Sequence, residues 1–203
     1  MFAEDTMTFV LVAAHSGEQF NQFLPYLLIA TALVAGAVLV IGITARGRGA
    51  PKSRWSLWEW LVYAATLVSV AVLASTAFGA VLSVGVLGGW ALFAHMVGAG
   101  MFVFVLPVLA VTWCEPSCFD LRRHGQRGET GPRRFSWLPK LTFWLLLAAG
   151  WVVSMTMLVS MLTWLGTDGL ETMLELHRWS GLVVVAAAAL HVSGVVLQRI
   201  GKQ

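Results

Sequence analysis

Residues 60–114 read WLVYAATLVSVAVLASTAFGAVLSVGVLGGWALFAHMVGAGMFVFVLPVLAVTWC, a run without a single Asp, Glu, Lys or Arg, bounded by Glu59 and Glu115. As one helix it would be roughly 80 Å long, far more than the ~30 Å hydrocarbon core of a bilayer. It must therefore fold back on itself. Gly85, Gly88 and Gly89 supply the break, because clustered glycines punctuate helices. The stretch becomes two membrane spans, near residues 58–83 and 90–113.

Working outward, the same spacing of charges defines three more spans, since a charge in the hydrocarbon costs several kcal/mol. The chain is uncharged from Glu18 to Arg46, with Leu24 to Thr44 as span one, from Lys140 to Asp168 (span four) and from Arg178 to Arg199 (span five). The expected fold is an all-α integral membrane bundle of five transmembrane helices. Residues 1–22 read as an outer or surface-lying tail, 23–45 as an additional helix, and 54–203 as a four-helix membrane domain with a basic loop at 113–140. No cleavable signal peptide is expected, because no basic region precedes the short apolar run at the N-terminus.

Composition agrees. Of 203 residues 58% are hydrophobic and 11% charged, with a mean hydropathy of +0.79, whereas a soluble domain carries about 25% charged residues. Soluble enzymes, nucleic-acid binders and disulfide-stapled secreted domains are excluded. The pI near 9.2 records topology rather than an acidic partner: twelve of the 13 Lys and Arg residues fall in 46–54, 122–140 and 199–202, all on one face. The other face carries Glu4, Asp5, Glu18, Asp168, Glu171 and Glu175, with Arg178 as its only cation. By the positive-inside rule the N-terminus is outside and the C-terminus inside. No nucleic-acid partner is expected, although loop 113–140 can meet anionic lipid. Cys114 and Cys118 are too few for a disulfide framework and lack the adjoining histidine of a c-type haem site. Most of the ten tryptophans sit at span ends, where aromatic belts form in any case.

Three of the five histidines matter, because an ionisable side chain inside a bilayer marks function by default. His15 lies in the tail and His124 in the basic loop; His95 is in span three, and His177 and His191 are in or beside span five. The last two are 14 residues apart, which puts them on one helical face about 21 Å apart in depth. His95, on a helix running the same way, faces that stripe. Imidazoles facing each other from neighbouring helices are the axial ligands of a b-type haem. Depth by itself leaves the pairings His95–His177 and His95–His191 both open. Gly98, Gly100, Gly181 and Gly194 stand near these histidines and would let a flat macrocycle lie against the backbone, or would simply allow close helix packing. Arg178 would pair a haem propionate, or snorkel to the interface. Zinc is disfavoured, since no third ligand shares either depth.

The run His95-Met96-Val97-Gly98-Ala99-Gly100-Met101-Phe102, with His177-Arg178-Trp179-Ser180-Gly181 and the step to His191, resembles the cytochrome b subunit of formate dehydrogenases and related hydrogenases. Spans two to five, residues 54–200, would be its four-helix bundle. The resemblance implies that His95 and His177 hold an outer haem b, and that His191 holds an inner haem with a histidine early in the first bundle helix. That helix opens here as Arg54-Trp55-Ser56-Leu57-Trp58-Glu59-Trp60, with Glu59 in the place of the ligand. Spans one, two and four contain no histidine, and Met155, Met157 and Met161 all lie in the outer half of span four. One haem b is therefore expected over two.

The function expected is that of a membrane-anchoring cytochrome subunit in a bacterial cytoplasmic membrane, exchanging electrons between a partner iron–sulfur or cytochrome subunit, docked on the outer face, and the quinone pool. Chemistry of its own would be limited to quinone. Glu59 and His191 are expected to line a quinone site in the inner half, the imidazole donating a hydrogen bond to a carbonyl and the carboxylate relaying protons. The alternatives are a di-haem subunit like that of respiratory nitrate reductase, and a haem-free anchor or assembly subunit whose histidines line a proton path.

Overall fold

A computed structural model describes residues 2–44, 55–119, 136–162 and 164–200, with side chains from residue 17 to 198 within them. His15 and the acidic Glu4 and Asp5 fall outside the described side chains. The basic residues of 45–54 and 120–135, His124 and the basic C-terminal end do so as well. The described elements are five helices, α1 (Phe2–Thr44), α2 (Leu57–Ser83), α3 (Gly89–Ser117), α4 (Trp137–Ser160) and α5 (Thr167–Ile200). Each is long and apolar enough to cross a membrane. The chain is thus a multi-pass α-helical protein.

Local chemistry sets the boundaries. Ser56 is the N-cap of α2: its hydroxyl accepts from the Glu59 N–H at 3.2 Å, and its own N–H donates to Glu59 Oε2 at 2.7 Å. This reciprocal capping box satisfies two of the donors that a helix start leaves orphaned. The α2–α3 turn falls at the glycine cluster, with Gly85 at φ +82° and Gly89 at φ +56°, conformations that cost other residues heavily. Helix α4 starts before Lys140, which donates from Nζ to the Cys118 carbonyl at 2.6 Å. Helix α5 begins eleven residues before Arg178, so His177 and Arg178 lie well inside it. The segment read as a tail is helical from Phe2 and continuous with span one. At 1.5 Å per residue α1 is about 65 Å long, and its Gly17–Thr44 part is long and apolar enough to cross a membrane.

Helices α2 and α3 form one close pair and α4 and α5 another. The pairs meet through α3 with α4 and α2 with α5, closing a four-helix square whose diagonals, α3–α5 and α2–α4, make no close backbone approach among the described residues. Helix α1 lies outside the square, mainly against α5. Without a hydrophobic drive between helices in lipid, association depends on close packing. Small residues provide it: a Cβ at Gly150 would come within 3.0 Å of Leu106, and one at Gly194 within 2.9 Å of Pro139. The core runs through Phe102, Leu106, Phe143, Leu146 and Ala187, while the outward faces are apolar and exposed. Helix α1 docks through buried Phe20 and Leu24 against Leu182 and Trp179 of α5.

Candidate functional site

The three span histidines stand at two levels. His95, early in α3, and His177, in α5, lie toward the end where the α2–α3 and α4–α5 connections are. His191, 14 residues further along α5, lies toward the opposite end, where α2 and α4 begin.

It is His177 that stands opposite His95, with ring centroids 6.5 Å apart and planes at 70°. Because α3 and α5 are diagonal, the two rings reach toward each other through the interior of the bundle. Taking a metal–nitrogen bond of about 2.0–2.1 Å and about 1.1 Å from ring nitrogen to ring centre, two imidazoles on opposite sides of one metal ion have centres about 6.3 Å apart. The observed separation fits. Among the described residues no group of three or more His, Cys, Asp or Glu side chains converges. The pair therefore offers two ligands, the number that a porphyrin-bound iron takes from protein.

Each histidine is held from the rear by a neighbouring helix in the same way. The Nδ1 of His95 is 3.0 Å from Thr76 Oγ1 on α2. The Nδ1 of His177 is 3.2 Å from both Thr156 Oγ1 and the Val153 carbonyl on α4. The Nδ1 of His191 is 3.2 Å from Thr142 Oγ1 and 3.0 Å from the Pro139 carbonyl, again on α4. These threonines were not among the residues that the sequence singled out. A signal for them exists: Thr142 and Thr156 are separated by the same 14 residues as His191 and His177, and the helices are antiparallel.

Of the glycines expected to face a macrocycle, Gly98 packs on α2, where an added Cβ would be 3.0 Å from Val72 and 3.5 Å from Leu73. It serves helix packing. Gly181, one turn after His177, would meet only Val153, at 3.9 Å, and Gly100 nothing within 4 Å. The Arg178 guanidinium lies beside Gly17 of α1, within 3.0 Å of a Cβ placed there, and the residue is half-buried.

At the other end His191 is 8% exposed. Rings at a facing distance are Tyr63 at 5.9 Å and Phe143 at 6.4 Å. No second imidazole is among its described ring neighbours. Trp55 packs on Trp113 at 4.6 Å and on Tyr63 at 5.1 Å. Together with His191 they line a cavity of about 20 Å³, space for one or two waters. Glu59 is engaged in the α2 cap and does not line this cavity. The residue that α2 turns toward His191 is Tyr63, one turn beyond it.

Compared with known proteins, the chain matches no family model, no curated protein and no solved structure.

Proposed function

We propose that this protein is a membrane-anchoring b-type cytochrome subunit, passing electrons between a partner redox subunit and the membrane quinone pool. The observation that carries the reading is the His95–His177 pair, two imidazoles from diagonal helices at the spacing of axial ligands. Haem b, where bound, supplies one-electron transfer that no protein side chain here matches. His95 and His177 would hold its iron, Gly181 leaves room beside the ligand, and Arg178 would pair a propionate.

On the positive-inside reading of the basic stretches, the His95–His177 end is outside and the His191 end inside. Helices α1 and α5 both begin at the His95–His177 end and enlarge it, which favours docking of an iron–sulfur or cytochrome partner there. Quinone exchange is assigned to the opposite end, with His191 and, at the α2 cap, Glu59. A quinone ring exceeds the water-sized cavity, so its entry requires the Trp55, Tyr63 and Trp113 cluster to open.

The test is a dithionite-reduced minus oxidised spectrum of the purified chain, wild type and His95→Ala, His177→Ala and His124→Ala. The α-band should vanish in the first two variants and persist in the third. An intact band in His95→Ala removes the assignment. No band in the wild-type membrane fraction would favour the haem-free anchor.

A further inference from the structure

The clasps on the three histidines have a consequence for which ring nitrogen carries the proton. A backbone carbonyl can only accept a hydrogen bond. The contacts of His177 Nδ1 with the Val153 carbonyl at 3.2 Å and of His191 Nδ1 with the Pro139 carbonyl at 3.0 Å therefore require an N–H at Nδ1. The threonines agree. Each hydroxyl proton is directed to the threonine's own helix: Thr76 to the Val72 carbonyl at 2.6 Å, Thr156 to Val153 at 2.8 Å and Thr142 to Leu138 at 2.9 Å. A hydroxyl whose proton is spent offers the imidazole a lone pair. In a neutral imidazole protonated at Nδ1, Nε2 is the acceptor and the metal ligand.

The arrangement is repeated, which separates it from chance satisfaction of one buried polar atom. On α4 a carbonyl and the threonine three residues later (Pro139 and Thr142, Val153 and Thr156) clasp His191 and His177 in turn. Fourteen residues is close to four turns, so both clasps lie on one face of α4 and both histidines on one face of α5. On α2, Thr76 stands at the Nδ1 of His95 in the same way, its hydroxyl also reaching the Leu73 carbonyl three residues back at 3.2 Å.

We propose that Thr76, Thr142 and Thr156 are positioning residues that fix the span histidines as Nδ1–H tautomers, so that every one of them turns an unprotonated Nε2 to the bundle interior. At His95 and His177 this prepares both ligands for one electrophilic metal centre, and in that respect it rests on the cytochrome reading. At His191 it determines ligand polarity without any haem: the ring edge away from α4 accepts, so it meets a donor, a hydroxyl, and not a bare carbonyl. Outer-shell bonds of this kind orient a ligating ring and raise its basicity. They stabilise the oxidised metal and lower its potential.

Two measurements test the proposal. The first is ¹⁵N NMR of the full histidine-labelled chain in lipid bilayers, from haem-replete cells in the reduced state and from haem-deficient cells. Single His→Gln variants assign the signals. Protonated Nδ1 and unprotonated Nε2 are expected at His95, His177 and His191 in the haem-free sample. Nε2–H tautomers there overturn the clasp while leaving a bound haem, if found, intact. The expected tautomers in a chain that never takes up haem sustain the clasp and remove the cytochrome. The second is potentiometry of the haem-loaded chain. Thr76→Val and Thr156→Val should keep the α-band and shift the midpoint potential upward, with Thr→Ser at the same positions returning it toward wild type. Unmoved potentials in both valine variants would count against the proposal, because a purely structural threonine would leave the potential where it was.

Discussion

His191→Leu separates a one-haem chain from a two-haem chain, and the structure gives the cost of the change. The Nδ1–H of His191 is shared between the Pro139 carbonyl and Thr142, so its loss removes the equivalent of one neutral hydrogen bond, about 0.5–1.5 kcal/mol net. Neither acceptor is stranded: Thr142 keeps its bond to the Leu138 carbonyl at 2.9 Å and also reaches the Pro139 carbonyl at 3.2 Å. Leucine replaces most of the ring volume among Tyr63, Phe143 and Trp113, which keeps the cavity contribution small. The total destabilisation expected is about 1 kcal/mol. Haem content should not change, because no second imidazole is among the described ring neighbours of His191, which are Tyr63 and Phe143. His177→Leu, by contrast, should remove the whole α-band. Pyridine haemochrome content against protein mass, with denaturation of the detergent-solubilised chain as the stability measure, reads both quantities. A fall to half the wild-type haem content in His191→Leu would refute the one-haem reasoning.

Glu59→Gln should preserve assembly and the haem spectrum, since glutamine also serves at the third position of a capping box, while slowing haem oxidation by a quinone analogue; an unaltered rate confines Glu59 to its cap. Gly98→Ala puts a Cβ 3.0 Å from the β-branched Val72, which cannot readily rotate away, and should destabilise the fold by about 1–3 kcal/mol. Gly181→Ala, with 3.9 Å to its nearest neighbour, should leave thermal stability unchanged or raise it slightly, since alanine is the better helix former, and a comparison of the two melting curves decides. If His191 Nε2 accepts, a short-chain quinol should bind more tightly than the matching quinone by roughly 2- to 10-fold, the value of one hydrogen bond. Calorimetric titration in detergent should show that preference and its loss in His191→Leu; equal affinities in wild type would contradict it.

The spans were legible because charge and hydropathy act locally. A bilayer penalises any buried charge wherever it sits in the chain, so Glu59, Glu115, Lys140 and Arg178 bracket apolar runs by position alone. Their placement was less sharp at helix ends. Lys140 and Arg178 proved to lie inside α4 and α5, because helices continue past the hydrocarbon into the interface, where long cations reach water. The helical state of residues 2–22 was missed for a related reason: an acidic, mixed segment has weak periodicity of its own and here continues an apolar helix.

What the sequence determined by itself was an all-α membrane bundle, its five crossings, the break at Gly85–Gly89, and three histidines at two depths, since each follows from spacing along one chain in a known solvent. Tertiary structure alone decided that His95 faces His177, that Gly98 packs on Val72, that Arg178 stands beside Gly17 of α1, that Tyr63 stands before His191 where Glu59 was expected, and that a threonine backs every span histidine. These depend on which helices are neighbours and how they are rotated. Interhelical packing sets that through contacts such as Gly150 on Leu106 and Gly194 on Pro139, between residues far apart in the chain and invisible to any local periodicity.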